Sequence, residues 1–185
     1  QTILDQAKTE DVAFLVIGDP MSATTHINFI IETNKQNIKT KVIHNASILT
    51  AIGITGLQLY KFGKTTSIPF DESGQNAAYR VIKDNSGIGL HTLVLLDLDP
   101  KTNEFMTVNE AIDILLKQEE KNKQNVFTKE TLVIGTARLG SENQMIKSGK
   151  AADIANLDFD SPPHALIVPA KELHFVEEEA LEMWR

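Results

Sequence analysis

The sequence predicts an α/β protein, and three observations carry that expectation. Continuous apolar runs of β-type residues recur in "DVAFLVIGD", "GLHTLVLLDLD", "ETLVIGTARLG" and "HALIVPA", the pattern of strands buried on both faces of a sheet, which favours parallel pairing. Segments with helical spacing lie between them. The first 60 residues read strand, helix, strand, helix, which is the α/β alternation.

Taken in order, "QTILDQAKTED" reads as the end of a helix already under way, so the chain is expected to be part of a longer protein. Val12–Ile17 is predicted as a buried strand that ends on the Gly18-Asp19-Pro20 turn. Thr24–Asn37 follows as a helix with Ile27, Phe29, Ile30 and Ile31, then a strand over Thr40–His44. "ASILTAIGITGLQLY" is expected to form a buried helix from Ser47 onward. Lys64–Phe70 reads as a short strand with a proline near its end, and Ala77–Asp84 as a helix. Gly89–Asp99 carries the strongest strand signal. "MTVNEAIDILLKQEEK" is a helix with a capping box, Thr107 and Glu110, and with Ala111, Ile114 and Leu115 on one face. Glu130–Gly140 is another central strand, and "HALIVPA" and "LHFVEEEALEMW" close the chain with a strand, a turn and an amphipathic helix. The domain boundary is expected near Asn45–Ile48, giving a first α/β portion over 1–46 and a second over 47–185.

Composition removes several function classes. Of 185 residues, 42% are apolar and 23% charged, an ordinary globular balance. There is no cysteine, which excludes disulfides and thiolate metal sites and fits an intracellular setting. No apolar run approaches a membrane span, and no leader pattern opens the chain. The formal charge of −7 speaks against unspecific nucleic-acid binding. No G-x-G-x-x-G, P-loop, G-x-S-x-G or H-E-x-x-H is present, and His26, His44, His91, His164 and His174 lack metal-ligand spacing.

What remains is a set of special residues at strand ends, where open α/β sheets bind ligands. They lie in "IGDPMSATTH", "VIHNASI", "LLDL" and "GTARLG", and in "SPPHALIV", which places Pro-Pro-His just before a strand. Each has a plain structural alternative: a simple turn for Gly-Asp-Pro, a cap or ion-pair role for Asp97, a satisfied loop histidine at His164, an N-cap at Ser47.

The stretches "GDPMSATTH", "VIHNASILTAIGITGLQLYKFGK", "GLHTLVLLDL", "TVNEAIDILL", "ARLGS" and "PPHALIVPA" resemble the diphthine synthases, in order and over nearly the whole chain, with the archaeal forms the nearer match. "GDP" alone is shared across the wider tetrapyrrole-methylase-like superfamily. The resemblance implies two α/β domains with S-adenosylmethionine folded in the cleft between them, S-adenosylhomocysteine as product, and no metal. It implies a methyltransferase acting on the amino group of a modified histidine of translation elongation factor 2, on the way to diphthamide, with three methyl groups placed by the archaeal enzyme. Carried over by motif, the cofactor contacts are Asp19 and Ser22 in the turn, Ser47 and Ile48 after the second strand, Leu96, Ala137 and His164. A homodimer is implied as well, and composition adds the expectation of a cytoplasmic protein without nucleic-acid or membrane partners. Two departures stand out. The family has further chain on its N-terminal side, including a Gly-Leu-Gly-Leu loop that touches the cofactor, so the first domain reads as truncated. The family's Trp and Pro after "SIPF" are missing from "DESGQNAAY".

Methyl transfer from a sulfonium is an in-line displacement that requires alignment and exclusion of water rather than a metal or a covalent intermediate. No catalytic base is singled out by the residues. The competing expectations are methylation of a tetrapyrrole or of ribosomal RNA by the same superfamily, and a non-catalytic binding module.

Overall fold

The computed structural model describes residues 2–99 and 101–185. The chain divides into two compact units, Gln1–Ala51 and Ile52–Arg185.

The first unit holds three helices: α1 (Thr2–Gln6), α2 (Ile27–Lys35) and α3 (Ile48–Ala51). The opening helix signal is met by α1, although Gln1 lies outside the described residues. The helix expected over 24–37 is α2. The two strands expected here do not form. Residues 12–17 and 40–44 have no regular secondary structure, and Leu15, Ile17 and Ile43 are 89%, 104% and 74% exposed. An apolar run prefers an extended backbone, but a strand exists only through ladder bonds to a neighbour, and the described residues of this unit offer none. Thr33 is the single buried residue among those described in the unit.

The second unit opens with 3₁₀ turns at Ile52–Thr55 and Leu59–Lys61. The long buried helix expected from Ser47 is thus a four-residue helix followed by separate turns. Gly56 marks the break: it sits at φ +91°, and a Cβ there would collide with Ala180. Beyond it come β1 (Thr66–Ile68), α4 (Glu72–Gly87), β2 (Thr92–Leu96), the small hairpin β3 (Leu98–Asp99) and β4 (Glu104–Phe105), and α5 (Val108–Asn122). β5 (Leu132–Ala137), β6 (Met145–Lys150), α6 (Ala151–Ile154), β7 (His164–Val168) and α7 (Phe175–Glu182) complete it. The strands β1, β2, β5 and β7 match the runs read from sequence. α5 carries the expected capping box, with Thr107 accepting from the Glu110 amide and the Glu110 carboxylate accepting from the Thr107 amide. α4 starts five residues earlier than expected, because the Asp71 carboxylate caps it by accepting from the Ser73 amide.

The sheet has five strands in the order β1-β2-β7-β5-β6. Among the described strands of this sheet only β1 and β2 pair in parallel; β7 runs antiparallel between β2 and β5, and β6 antiparallel to β5. The parallel sheet expected from the apolar runs is therefore largely antiparallel. The runs arise because both faces of β2, β5 and β7 are buried, which direction of pairing does not decide. Val94, Val133, Leu166 and Val168 pack with Ile82 of α4 and with Val108, Ile112 and Leu115 of α5 in one core, while Leu93, Ile134 and Ile167 on the opposite face are also buried.

One polar cluster ties the second unit together. The Glu177 side chain is fully buried and accepts from Lys61 Nζ at 2.7 Å, His91 Nε2 at 3.0 Å, the Gln58 amide at 3.0 Å and the His174 amide at 2.9 Å. His91 Nδ1 accepts from the Ala170 amide at 2.9 Å, so its proton sits on Nε2 and the ring is neutral. Burial pushes the His91 ring down, against the pull of the Glu177 carboxylate. Burial alone would raise Glu177, but Lys61, the Gln58 and His174 amides and His91 bring it down to about 2.

Removing this carboxylate strands a buried imidazole, an ammonium and two amides. Glu177→Ala is expected to cost about 3–5 kcal/mol of stability in denaturant titration. Because the Glu177 carboxyl lies near 2 in the fold against an ordinary 4.5, its contribution is complete above pH 4.5 and is lost as pH falls toward 2. Glu177→Gln should flatten that part of the acid-unfolding profile.

Candidate functional site

The topology of the second unit brings three of the predicted residues to one sheet edge. Since β7 runs against both neighbours, its first residue meets their last. Ala137 pairs with His164, and Leu95 with Ala165, which places Leu96 beside His164 as well. Ile68 on β1 continues the row, opposite Leu96, and Met145 on β6 closes it, opposite Ala137. Period-2 alternation puts Leu96, Ala137 and His164 on the face of Val94, Val133 and Leu166. The Leu96 and Ala137 side chains belong to the core, so what these two residues offer at the edge is backbone.

His164 differs from them. Its Nε2 lies 3.1 Å from the Asp160 carbonyl, which can only accept, so Nε2 carries the proton and Nδ1 is a bare acceptor. Nδ1 is buried and has no hydrogen-bond partner among the described residues. Burial pushes the ring below the ordinary imidazole value, favouring the neutral form. A buried acceptor without a donor is costly, and it suits a ligand that brings an N–H or O–H. An adenosyl group carries such donors on its amino and ribose hydroxyl groups. On this observation the edge fits S-adenosylmethionine.

The approach to His164 is shaped by the 158–163 loop, which ends in a cis Pro162–Pro163 bond and presses the Phe159 ring against the imidazole at 5.9 Å between centroids. Arg138, the residue after Ala137, holds this loop. Its amide donates to the Pro163 carbonyl at 2.9 Å, and its Nη1 donates to the Phe159 carbonyl at 3.0 Å and to the Ser161 carbonyl. Its Nε and Nη2 donate to the Asn143 carbonyl in the β5–β6 turn. Asp97, at the end of β2, uses its carboxylate to accept from the Phe70 and Leu98 amides and so fixes the loops after β1 and β2. Sequence reasoning quoted "GTARLG" but passed over Arg138 and Phe159, since no spacing pairs residue 138 with the 158–163 loop.

The first unit gathers the other four predicted residues locally. Gly18, at φ +84°, turns the chain into Asp19. Asp19 Oδ1 accepts from the Met21 amide at 2.8 Å and the Ser22 hydroxyl at 3.2 Å; Oδ2 accepts from His44 Nδ1 at 2.8 Å and the Asn45 amide at 3.2 Å. The Met21 amide first, with His44, holds the Asp19 carboxyl down to about 2. The carboxylate thus joins the Gly-Asp-Pro turn to the segment that leads into Ser47. Ser47 directly precedes α3, its carbonyl accepting from the Thr50 and Ala51 amides, and Ile48 is the first helical residue. Ser22, Ser47 and Ile48 are all half-buried. No group of three or more metal-ligating side chains gathers among the described residues.

The model of the family described as Tetrapyrrole (Corrin/Porphyrin) Methylases matches residues 1–155. The chain is 52% identical over 182 residues to a diphthine synthase of Methanococcus maripaludis, covering 97% of this chain and 71% of the relative. To that of Methanosphaera stadtmanae it is 47% identical, covering 97% and 69%. A crystal structure of diphthine synthase superposes with a TM-score of 0.88 at 38% identity, over 99% of this chain and 69% of the other.

The loop that covers His164 rests on one small residue. A Cβ at Gly135 would collide with the Phe159 ring and meet Val108 Cγ1 at 3.0 Å. Gly135→Ala is expected to cost about 1–3 kcal/mol, by overpacking, in chemical denaturation. It should also displace the Phe159 ring resonances, the neighbours of His164.

Proposed function

The chain belongs to the diphthine synthases of the tetrapyrrole methylase family and is a methyltransferase; we propose that it uses S-adenosylmethionine to methylate the amino group of a modified histidine on translation elongation factor 2. The observation that carries this reading for the chain's own residues is the unpartnered, buried Nδ1 of neutral His164 at the edge shared by Leu96 and Ala137.

When bound, S-adenosylmethionine supplies a methyl group on an already activated sulfonium. The chain's residues then bind, orient and exclude water. His164 Nδ1 accepts a hydrogen bond from the adenosyl group, and the backbone at Leu96 and Ala137 lines the adenine. Ser22, Ser47 and Ile48 are proposed as further cofactor contacts. Asp19 acts mainly by shaping that loop, since four donors of its own chain already occupy its carboxylate. No catalytic base is assigned: the attacking amine has only to arrive neutral and be aligned. No described helix is long and apolar enough to cross a membrane. Cytoplasmic location and a homodimer remain part of the proposal; the exposed Ile54, Leu59 and Tyr60 of the 52–61 stretch support the second.

The deciding experiment is single-turnover transfer from labelled S-adenosylmethionine to elongation factor 2 carrying the unmethylated precursor. Label should appear on that histidine's amino nitrogen, and label on a tetrapyrrole or ribosomal RNA instead would overturn the substrate reading. S-adenosylhomocysteine at a hundred times its Kd is expected to stabilise the protein by about 2.7 kcal/mol. A binding module without the cofactor would show no shift. His164→Ala, which removes the acceptor, should weaken S-adenosylhomocysteine about tenfold.

A further inference from the structure

We infer that Arg138 is a positioning residue that sets the tautomer of His164 through the 158–163 loop, and so makes the imidazole a hydrogen-bond acceptor toward the cofactor; this rests on the reading of His164 as a cofactor contact.

The geometry forms a relay of three steps. The Arg138 guanidinium donates to the Phe159 and Ser161 carbonyls, which flank residue 160. The carbonyl between them, that of Asp160, is the one that takes the proton-bearing Nε2 of His164. Asp160 itself sits at φ +59°, in the left-handed region that aspartate adopts more readily than most residues, and its amide donates to Asp158 Oδ1 at 2.8 Å. Arg138 fixes the carbonyls on either side of that residue, and is itself anchored, its Nε and Nη2 on the Asn143 carbonyl and its amide on the Pro163 carbonyl. A planar fork spreads five N–H donors over three nitrogens and so spans the two loop carbonyls and the Asn143 anchor; an ammonium's three donors radiate from a single nitrogen. Release of the loop frees the Asp160 carbonyl to turn away, and the imidazole then loses its reason to keep the proton on Nε2. A proton on Nδ1 would meet a donor with a donor.

The test follows both ring nitrogens of His164 by nitrogen NMR in the whole chain, with and without S-adenosylhomocysteine. In the native protein Nε2 should show the protonated and Nδ1 the bare pattern, and the ligand should shift Nδ1. Arg138→Gln should give a mixture of tautomers before any ligand is added, and should weaken S-adenosylhomocysteine about tenfold. Arg138→Lys keeps the cation and loses the fork; it should behave the same way, and it carries the same readings if the Gln variant does not fold. A single Nε2-protonated form and native affinity in the folded variants would overturn the role of Arg138. A native His164 Nδ1 that the ligand leaves unmoved, while binding is measured, would instead overturn the cofactor contact, whatever the variants show.

Discussion

The antiparallel course of β7 between β2 and β5 is the constraint on which the site depends. Had β7 run parallel to its neighbours, His164 would begin at the far edge of the sheet from Leu96 and Ala137. Because it runs against them, a residue at a strand start and two at strand ends share one edge. Everything local to that edge follows: the loop before β7 must pass over it, the residue after β5 is within reach of that loop, and a large ring at 159 can settle against Gly135.

Two buried or half-buried carboxylates show how the same chemistry builds rather than reacts. Glu177 gathers a lysine, a histidine and two amides. Glu119 takes the Tyr79 hydroxyl and the Asn125, Val126 and Phe127 amides, tying the turn after α5 to α4. Burial first, and then the Glu119 carboxylate, push the Tyr79 hydroxyl up to about 12. Such perturbed groups are often read as functional candidates. Here each carboxylate oxygen has a partner from the chain, so these groups hold segments in place. His164 has an acceptor left over, and that difference separates a site from a brace.

The strands of the second unit were legible because their apolar runs are long and β-branched, and α5 because its capping box is local. β6 was not, since "MIKSGK" mixes lysines, serine and glycine and contains no continuous apolar run. The α4 start was hidden because Gly74 sits in its first turn and masks the Asp71 cap. Val12–Ile17 was misread for the opposite reason: apolar content speaks for burial, but pairing is a property of the neighbour. The strand-end residues of the site could be picked out singly from sequence. Their meeting on one edge required the direction of β7, and Arg138 required the path of a loop twenty residues on.

The sparse burial of residues in the first unit governs how a melting curve of these 185 residues should be read. Heat-capacity change and denaturant dependence both scale with the apolar and total surface that unfolding uncovers. A unit in which Thr33 alone is buried among the described residues has little such surface left to uncover. A melting curve of this chain is therefore expected to report mainly the cohesion of residues 52–185.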